Sequence, residues 1–185
     1  MAQIFISHSQ YDEDIRTFFD EVFAGTKVKA IRVEFEKMEL KKYNLPLSEF
    51  IIHQLKTSDA LFVLLGPNIN RSQFTQSWVG FETGFAVGWE HTQHIWVFEP
   101  MNHAPIQFPI PFLHHYVPYV MSDGWHDYIK SIVKAYEQWI PAARPIPKGK
   151  LIQCPHKDCK MQYVLHTKTS KFYCPVCRKS ITLKS

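Results

Sequence analysis

The spacing of apolar residues changes period repeatedly along the chain, and each change marks an element. "QIFIS" (3–7) is a short apolar run of strand composition. "SQYD" (9–12) then shows the Ser-x-x-Asp spacing of a capping box, and Ile15, Phe18, Phe19, Val22 and Phe23 follow on one helix face. "VKAIRVEF" (28–35) reads as a second strand. A charged loop, "EKMELKKYN" (36–44), leads to Pro46, a good first-turn residue, and the helix "LSEFIIHQLK" (47–56). "ALFVLLG" (60–66) is continuously apolar, as expected of a strand covered on both faces. A helix over 78–89 and the strand "HIWVFEP" (94–100) come next. A Pro- and aromatic-rich loop runs on to a short strand near "HYVPYV" (115–120), and the helix "WHDYIKSIVKAYEQWI" (125–140) closes the unit.

Strand and helix alternate through most of these 140 residues, which predicts an α/β fold: an open parallel sheet flanked by helices. Ligands of such sheets sit at the carboxyl ends of the strands, so the loops after Ser7, Phe35 and Gly66 are the places to search. "PAARPIPKGK" (141–150) has three prolines and no apolar periodicity, and reads as a linker. The expected organisation is a domain over 1–140, a linker over 141–150 and a small unit over 151–185.

Composition adds limits. Of 185 residues, 45% are hydrophobic, enough for a packed core. No run approaches the roughly 18–20 apolar residues that cross a bilayer. The N-terminus has neither a basic segment nor a long apolar one, so no signal peptide, no membrane partner and a cytoplasmic location are expected. Charge is split unevenly. Residues 1–143 hold 11 Lys+Arg against 16 Asp+Glu, whereas residues 144–185 hold 10 Lys+Arg against Asp158 alone.

All four cysteines lie in that basic tail, as Cys154-x4-Cys159 and Cys174-x2-Cys177 with fourteen residues between the pairs. Two short-spaced thiol pairs suit a tetrahedral Zn²⁺, which closes a segment too small to fold alone. The reading is a four-cysteine β zinc ribbon with a structural metal. The intervening "MQYVLHTKTSKFYC" is predicted to form a hairpin turning near "TKTSK". A basic ribbon fits either nucleic acid or a protein ligand.

The segment "SWVGFETGFAVGW" (77–89) contains one ionisable side chain, Glu82. On a helix, Trp78, Glu82, Phe85 and Trp89 share a face, and Gly80, Gly84 and Gly88 form another stripe. Two readings of Glu82 stand side by side, a structural hydrogen bond and a catalytic carboxylate. The glycines read as a smooth surface for helix-to-sheet packing, with ligand contact the alternative.

The order of "IFISHS…D", "VEFEKMELKKYNLPLSEFI", "SDALFVLLGPN" and Trp78-x3-Glu82-x3-Ala86 resembles a Toll/interleukin-1 receptor-like (TIR) domain, particularly the prokaryotic NAD-cleaving kind, over roughly residues 3–140. "FISHS" is similar to the family's first box and "KKYNLPL" occupies the place of its mobile loop, although the usual Pro-Gly is absent. The resemblance implies a TIR/flavodoxin-like sheet and an NAD⁺ glycohydrolase or cyclase, releasing nicotinamide with ADP-ribose or a cyclic isomer in defence or stress signalling. It implies Glu82 as the catalytic residue, Ser7, His8, Ser9, Phe35 and Trp78 around the substrate, NAD⁺ as substrate rather than cofactor, and homo-oligomers through TIR–TIR contacts. The competing readings are a non-catalytic signalling adaptor and a nucleoside deoxyribosyltransferase-like enzyme.

Overall fold

A computed structural model describes residues 1–33, 47–71, 73–88, 94–104, 106, 108, 110, 114–137 and 148–183. In chain order the elements are β1 (Gln3–His8), α1 (Glu13–Phe23), β2 (Lys29–Arg32), α2 (Leu47–Thr57) and β3 (Ala60–Leu64). A 3-10 turn (Pro67–Arg71), α3 (Gln73–Gly88), β4 (Ile95–Pro100), β5 (His115–Tyr119) and α4 (Asp123–Ala135) follow. The tail supplies β6 (Lys150–Gln153), β7 (Gln162–Leu165), β8 (Lys171–Tyr173) and β9 (Ser180–Thr182).

Seven strands form one sheet in the order β2-β1-β3-β4-β5-β7-β6, and β8–β9 form a separate two-stranded sheet. The run β2-β1-β3-β4-β5 is parallel throughout. β1 lies where the strand order reverses, so the loops after β1 and β3 diverge to opposite faces. One face carries α2 and α3 over Phe5, Leu61, Val63, Val97 and Tyr116. The other carries α1 and α4 over Ile4, Ile6, Phe62, Trp96, Phe98 and Val117. β3 and β4 are buried at every position, which explains the uninterrupted apolar sequence of β3 and the apolar run of β4 up to Glu99.

α1 buries Ile15, Phe19, Val22 and Phe23, as the periodicity predicts. The capping box does not form. Asp12 stands at the N-cap without a side-chain cap bond, and the Ser9 hydroxyl accepts the Tyr11 N–H at 3.3 Å instead. The Asp12 carboxylate is drawn away to Asn68, as described below. α3 begins at Gln73, earlier than the expected 78. Its glycines also depart from expectation. Gly80, Gly84 and Gly88 are exposed, and a methyl group added at any of them would meet open space. The inner face of α3 is instead Val79, Glu82, Thr83 and Ala86, so side chains rather than a smooth stripe fill the gap to the sheet.

The tail joins the main sheet. β7 runs parallel to β5, pairing His115 with Val164 and Tyr116 with Leu165, and β6 pairs antiparallel with β7. The expected hairpin over 161–174 is absent: its two strands turn away from one another, β7 to β5 and β6, β8 to β9. The reason is apolar. Tyr163, Leu165, Phe172 and Ile181 share one cluster with Ile106, Ile110 and Tyr116, so tail strands cover the β5 edge rather than each other. No helix among the described residues is long and apolar enough to cross a membrane.

Candidate functional site

Glu82 sits on the inner face of α3 with 4% of its surface exposed. Ser7, near the carboxyl end of β1, is 1% exposed, and its hydroxyl donates to Glu82 Oε2. β1 alternates, so Phe5 and Ser7 share the α2/α3 face while Ile4 and Ile6 point to the other. This register brings a polar side chain under a buried carboxyl. Burial pushes the Glu82 carboxyl up to about 8, and the Ser7 hydrogen bond opposes that rise in part.

Trp78, one turn before Glu82, is half-buried against the α2/α3 core and meets Phe81 edge-to-face, with ring centroids 5.6 Å apart. The structure thus brings Ser7, Trp78 and Glu82 to one region where β1 meets α3. Ser9 is buried and turns its carbonyl to the Asp12 N–H at 3.2 Å. His8 is half-buried with Nδ1 3.0 Å from the Ser9 carbonyl oxygen. Phe35, the loop 36–46 and Trp89 lie outside the described residues.

The sequence reading missed a second polar group at the point where strand order reverses. Asp12 Oδ1 accepts from the Asn68 backbone at 3.1 Å and from Asn68 Nδ2 at 2.8 Å, tying the loop after β1 to the loop after β3. Among the described residues, Asp12 Oδ2 is buried without a hydrogen-bond partner. Burial raises the Asp12 carboxyl above its ordinary value against the two Asn68 hydrogen bonds. Gly66 is required here because a Cβ would collide with the Asp12 carboxyl. The signal was present in "LLGPN", a glycine and an asparagine straight after a buried strand.

The tail holds a second site. The sulfurs of Cys154, Cys159, Cys174 and Cys177 all lie within 4.8 Å of one another, and all four are free of disulfides. Cys154 and Cys177 are separated by 3.7 Å, Cys159 and Cys174 by 3.8 Å. Four thiolates about 2.3 Å from one tetrahedral ion would stand roughly 3.8 Å apart, so the cluster has metal-binding geometry. Each pair lies on a turn of the same kind. Lys160 and Arg178, the residues after the second cysteine of each pair, take φ of 49° and 61°. The left-handed conformation costs each side chain about 1 kcal/mol, and within the second pair the Val176 N–H faces the Cys174 sulfur at 3.4 Å. Burial pushes the Cys154 and Cys174 thiols up. Burial acts the same way at Cys177, but hydrogen bonds from Lys179 and neighbouring thiols outweigh it and bring that thiol down.

A buried ion pair joins this cluster to the sheet. Arg178 Nη2 contacts Glu99 Oε1 near the carboxyl end of β4. Glu99 also accepts from the Tyr116 hydroxyl at 2.7 Å and the Ile106 N–H at 3.3 Å. Ile110 in the loop after β4 donates to the Pro175 carbonyl at 3.1 Å, between the cysteines of the second pair. No family model matches the chain, and no curated protein matches it.

Proposed function

We propose that the chain is an NAD⁺ glycohydrolase or ADP-ribosyl cyclase of the TIR type, with Glu82 as its catalytic residue. The carrying observation is the buried, lone carboxyl on α3, held by Ser7 beside a parallel β2-β1-β3-β4-β5 sheet. Most glycosidases need two carboxyl groups, one of them to protonate the leaving group. The nicotinamide of NAD⁺ is already cationic. When its bond to the ribose C1′ breaks, the electron pair stays with the ring nitrogen and neutral nicotinamide leaves without a general acid. One carboxylate then suffices to face the oxocarbenium charge left on the ribose. Water adding at C1′ and losing a proton gives ADP-ribose; a hydroxyl of the same molecule gives a cyclic isomer. Trp78 supplies an aromatic surface one turn from Glu82.

The four cysteines are assigned to a structural Zn²⁺, because thiolate-only tetrahedral donors suit that ion and leave no open position for substrate. Exposed Lys148, Lys150, Lys157, Lys160, Lys171 and Lys179 give the tail a polyanion-binding character. Self-association follows from the TIR resemblance.

Incubating the purified chain with NAD⁺ and measuring nicotinamide tests the reading. Release by wild type, and a loss of roughly 10²-fold or more in folded Glu82→Gln, is the expected result. No release would favour the adaptor. Base exchange on deoxynucleosides with NAD⁺ intact would favour the deoxyribosyltransferase.

A further inference from the structure

Among the described residues, Ser7 is the hydrogen-bond partner of Glu82. The elements packed against α3 are α2, the 3-10 turn, β3, β1 and β4. Their ionisable side chains are Glu49, His53 and Lys56 on α2, Arg71 on the turn, His8 on β1 and Glu99 on β4, and β3 has none. Glu99 is already engaged with Arg178. None of these groups governs the ionisation of Glu82, which answers to burial first and to Ser7 second. Among the described residues no cation stands against an ionised carboxylate in such a place, and the cost of holding a buried charge without one is several kcal/mol.

We propose that Glu82 stands as a neutral carboxylic acid before substrate binds and releases its proton to solvent as a cationic ring enters beside it. The site then selects substrates whose leaving group is positively charged, and Ser7 is the positioning residue that steadies the ionised form. This rests on the NAD⁺-cleaving reading and deepens it. The charges balance at each stage. Binding exchanges one proton for one pyridinium cation. Bond breaking moves the positive charge from the nicotinamide ring to the ribose carbon, still facing the carboxylate. Addition of water turns that charge into a proton, and Glu82 is reprotonated as the products leave. The reduced dinucleotide has an uncharged dihydronicotinamide ring and offers no cation to exchange.

The test follows the Glu82 carboxyl carbon by ¹³C NMR across a pH titration of the full chain, with Glu82→Gln supplying the assignment. The probes are the 1-methylnicotinamide cation and uncharged nicotinamide. The expected midpoint of the free protein is about 8. The cation moves it down by roughly one pH unit or more, equivalent to tenfold tighter binding to the ionised form, and nicotinamide does not. Ser7→Ala moves the midpoint up, and Ser7→Thr, which keeps the hydroxyl, restores it. A free-protein midpoint in the ordinary carboxylate range, an equal response to both probes, or an unmoved midpoint in folded Ser7→Ala overturns the proposal. If Ser7→Ala fails to fold, the two wild-type titrations decide. A shifted midpoint without nicotinamide release keeps the cation site and rejects the reaction. NAD⁺ cleavage with an ordinary midpoint keeps the reaction and rejects the coupling.

Discussion

A single buried carboxyl leaves a mark on the stability of the whole chain. Between the ordinary glutamate value of 4.5 and about 8, the folded protein keeps a proton on Glu82 that the unfolded chain has lost. Stability therefore falls as pH rises through that window and levels off above it. Glu82→Gln removes this dependence, and the variant should gain on wild type between pH 5 and pH 8 by an amount on the order of a few kcal/mol, measured by denaturant unfolding at both values. Gly66→Ala should act in the opposite sense, costing roughly 1–3 kcal/mol as the Asp12 carboxyl is forced off Asn68. Glu82 was legible in the sequence because it interrupts an apolar helix. Its partner was legible only as a residue on the right strand, since which hydroxyl reaches a helix depends on the register of β1 under α3. Asp12 was misread. A capping pattern is local, and the hydrogen bonds that captured Asp12 come from a residue 56 positions away.

At the scale of elements, the seam between β5 and β7 is narrow, and side chains above it add to the hold. His115 Nδ1 lies 3.0 Å from His166 Nε2, and the Tyr128 hydroxyl on α4 lies 3.1 Å from His166 Nδ1. His115 also stacks on Trp96, with centroids 4.2 Å apart. Burial brings His166 down to about 4, and burial together with His166, His94 and His114 brings His115 down to about 3. Below 6.5 the unfolded chain takes up protons that the folded chain refuses, so stability falls with decreasing pH until those lower values are reached. His166→Gln should flatten that fall between pH 6.5 and 4 in chemical-denaturation curves. Any acid effect at the cysteine cluster is shared by variant and wild type, so the difference reports His166 together with its influence on His115. The parallel strands and α1 were readable from periodicity, because their burial patterns repeat within each element. The pairing of the tail was not. A four-residue strand with the pattern exposed-buried-partly buried-buried fits a free hairpin as well as a sheet edge, and only the apolar surface beyond β5 decides between them.

The molecule as a whole treats the cysteine cluster as part of its core. Cys154 and Cys174 belong to the same apolar cluster as Val79 and Ala86 on α3. Chelation of any metal held by the four cysteines, or Cys174→Ser with Cys177→Ser, should therefore lower the unfolding midpoint of the entire chain in a single transition. Two separate transitions, with the first 140 residues unaffected, would show that the tail melts alone. Truncation after Ala143 should be worse than loss of metal. It bares the β5 edge and leaves Glu99 buried without Arg178, a change of the kind that costs about 3–5 kcal/mol, and light scattering should register aggregation of the shortened chain. In the full chain, any DNA or RNA retained by the exposed lysines should be released steeply as salt rises, which a retardation assay across a salt series would read.

The placement of β7 beside β5 also sets an order of events during synthesis. β5 emerges from the ribosome well before the strand that covers it, and the second cysteine pair follows later still, at Cys174 and Cys177. Throughout that interval the nascent α/β unit presents an open parallel edge to its neighbours on the polysome. The rate at which the segment carrying β6 to β9 is translated thereby becomes a determinant of how much of this protein reaches its folded form.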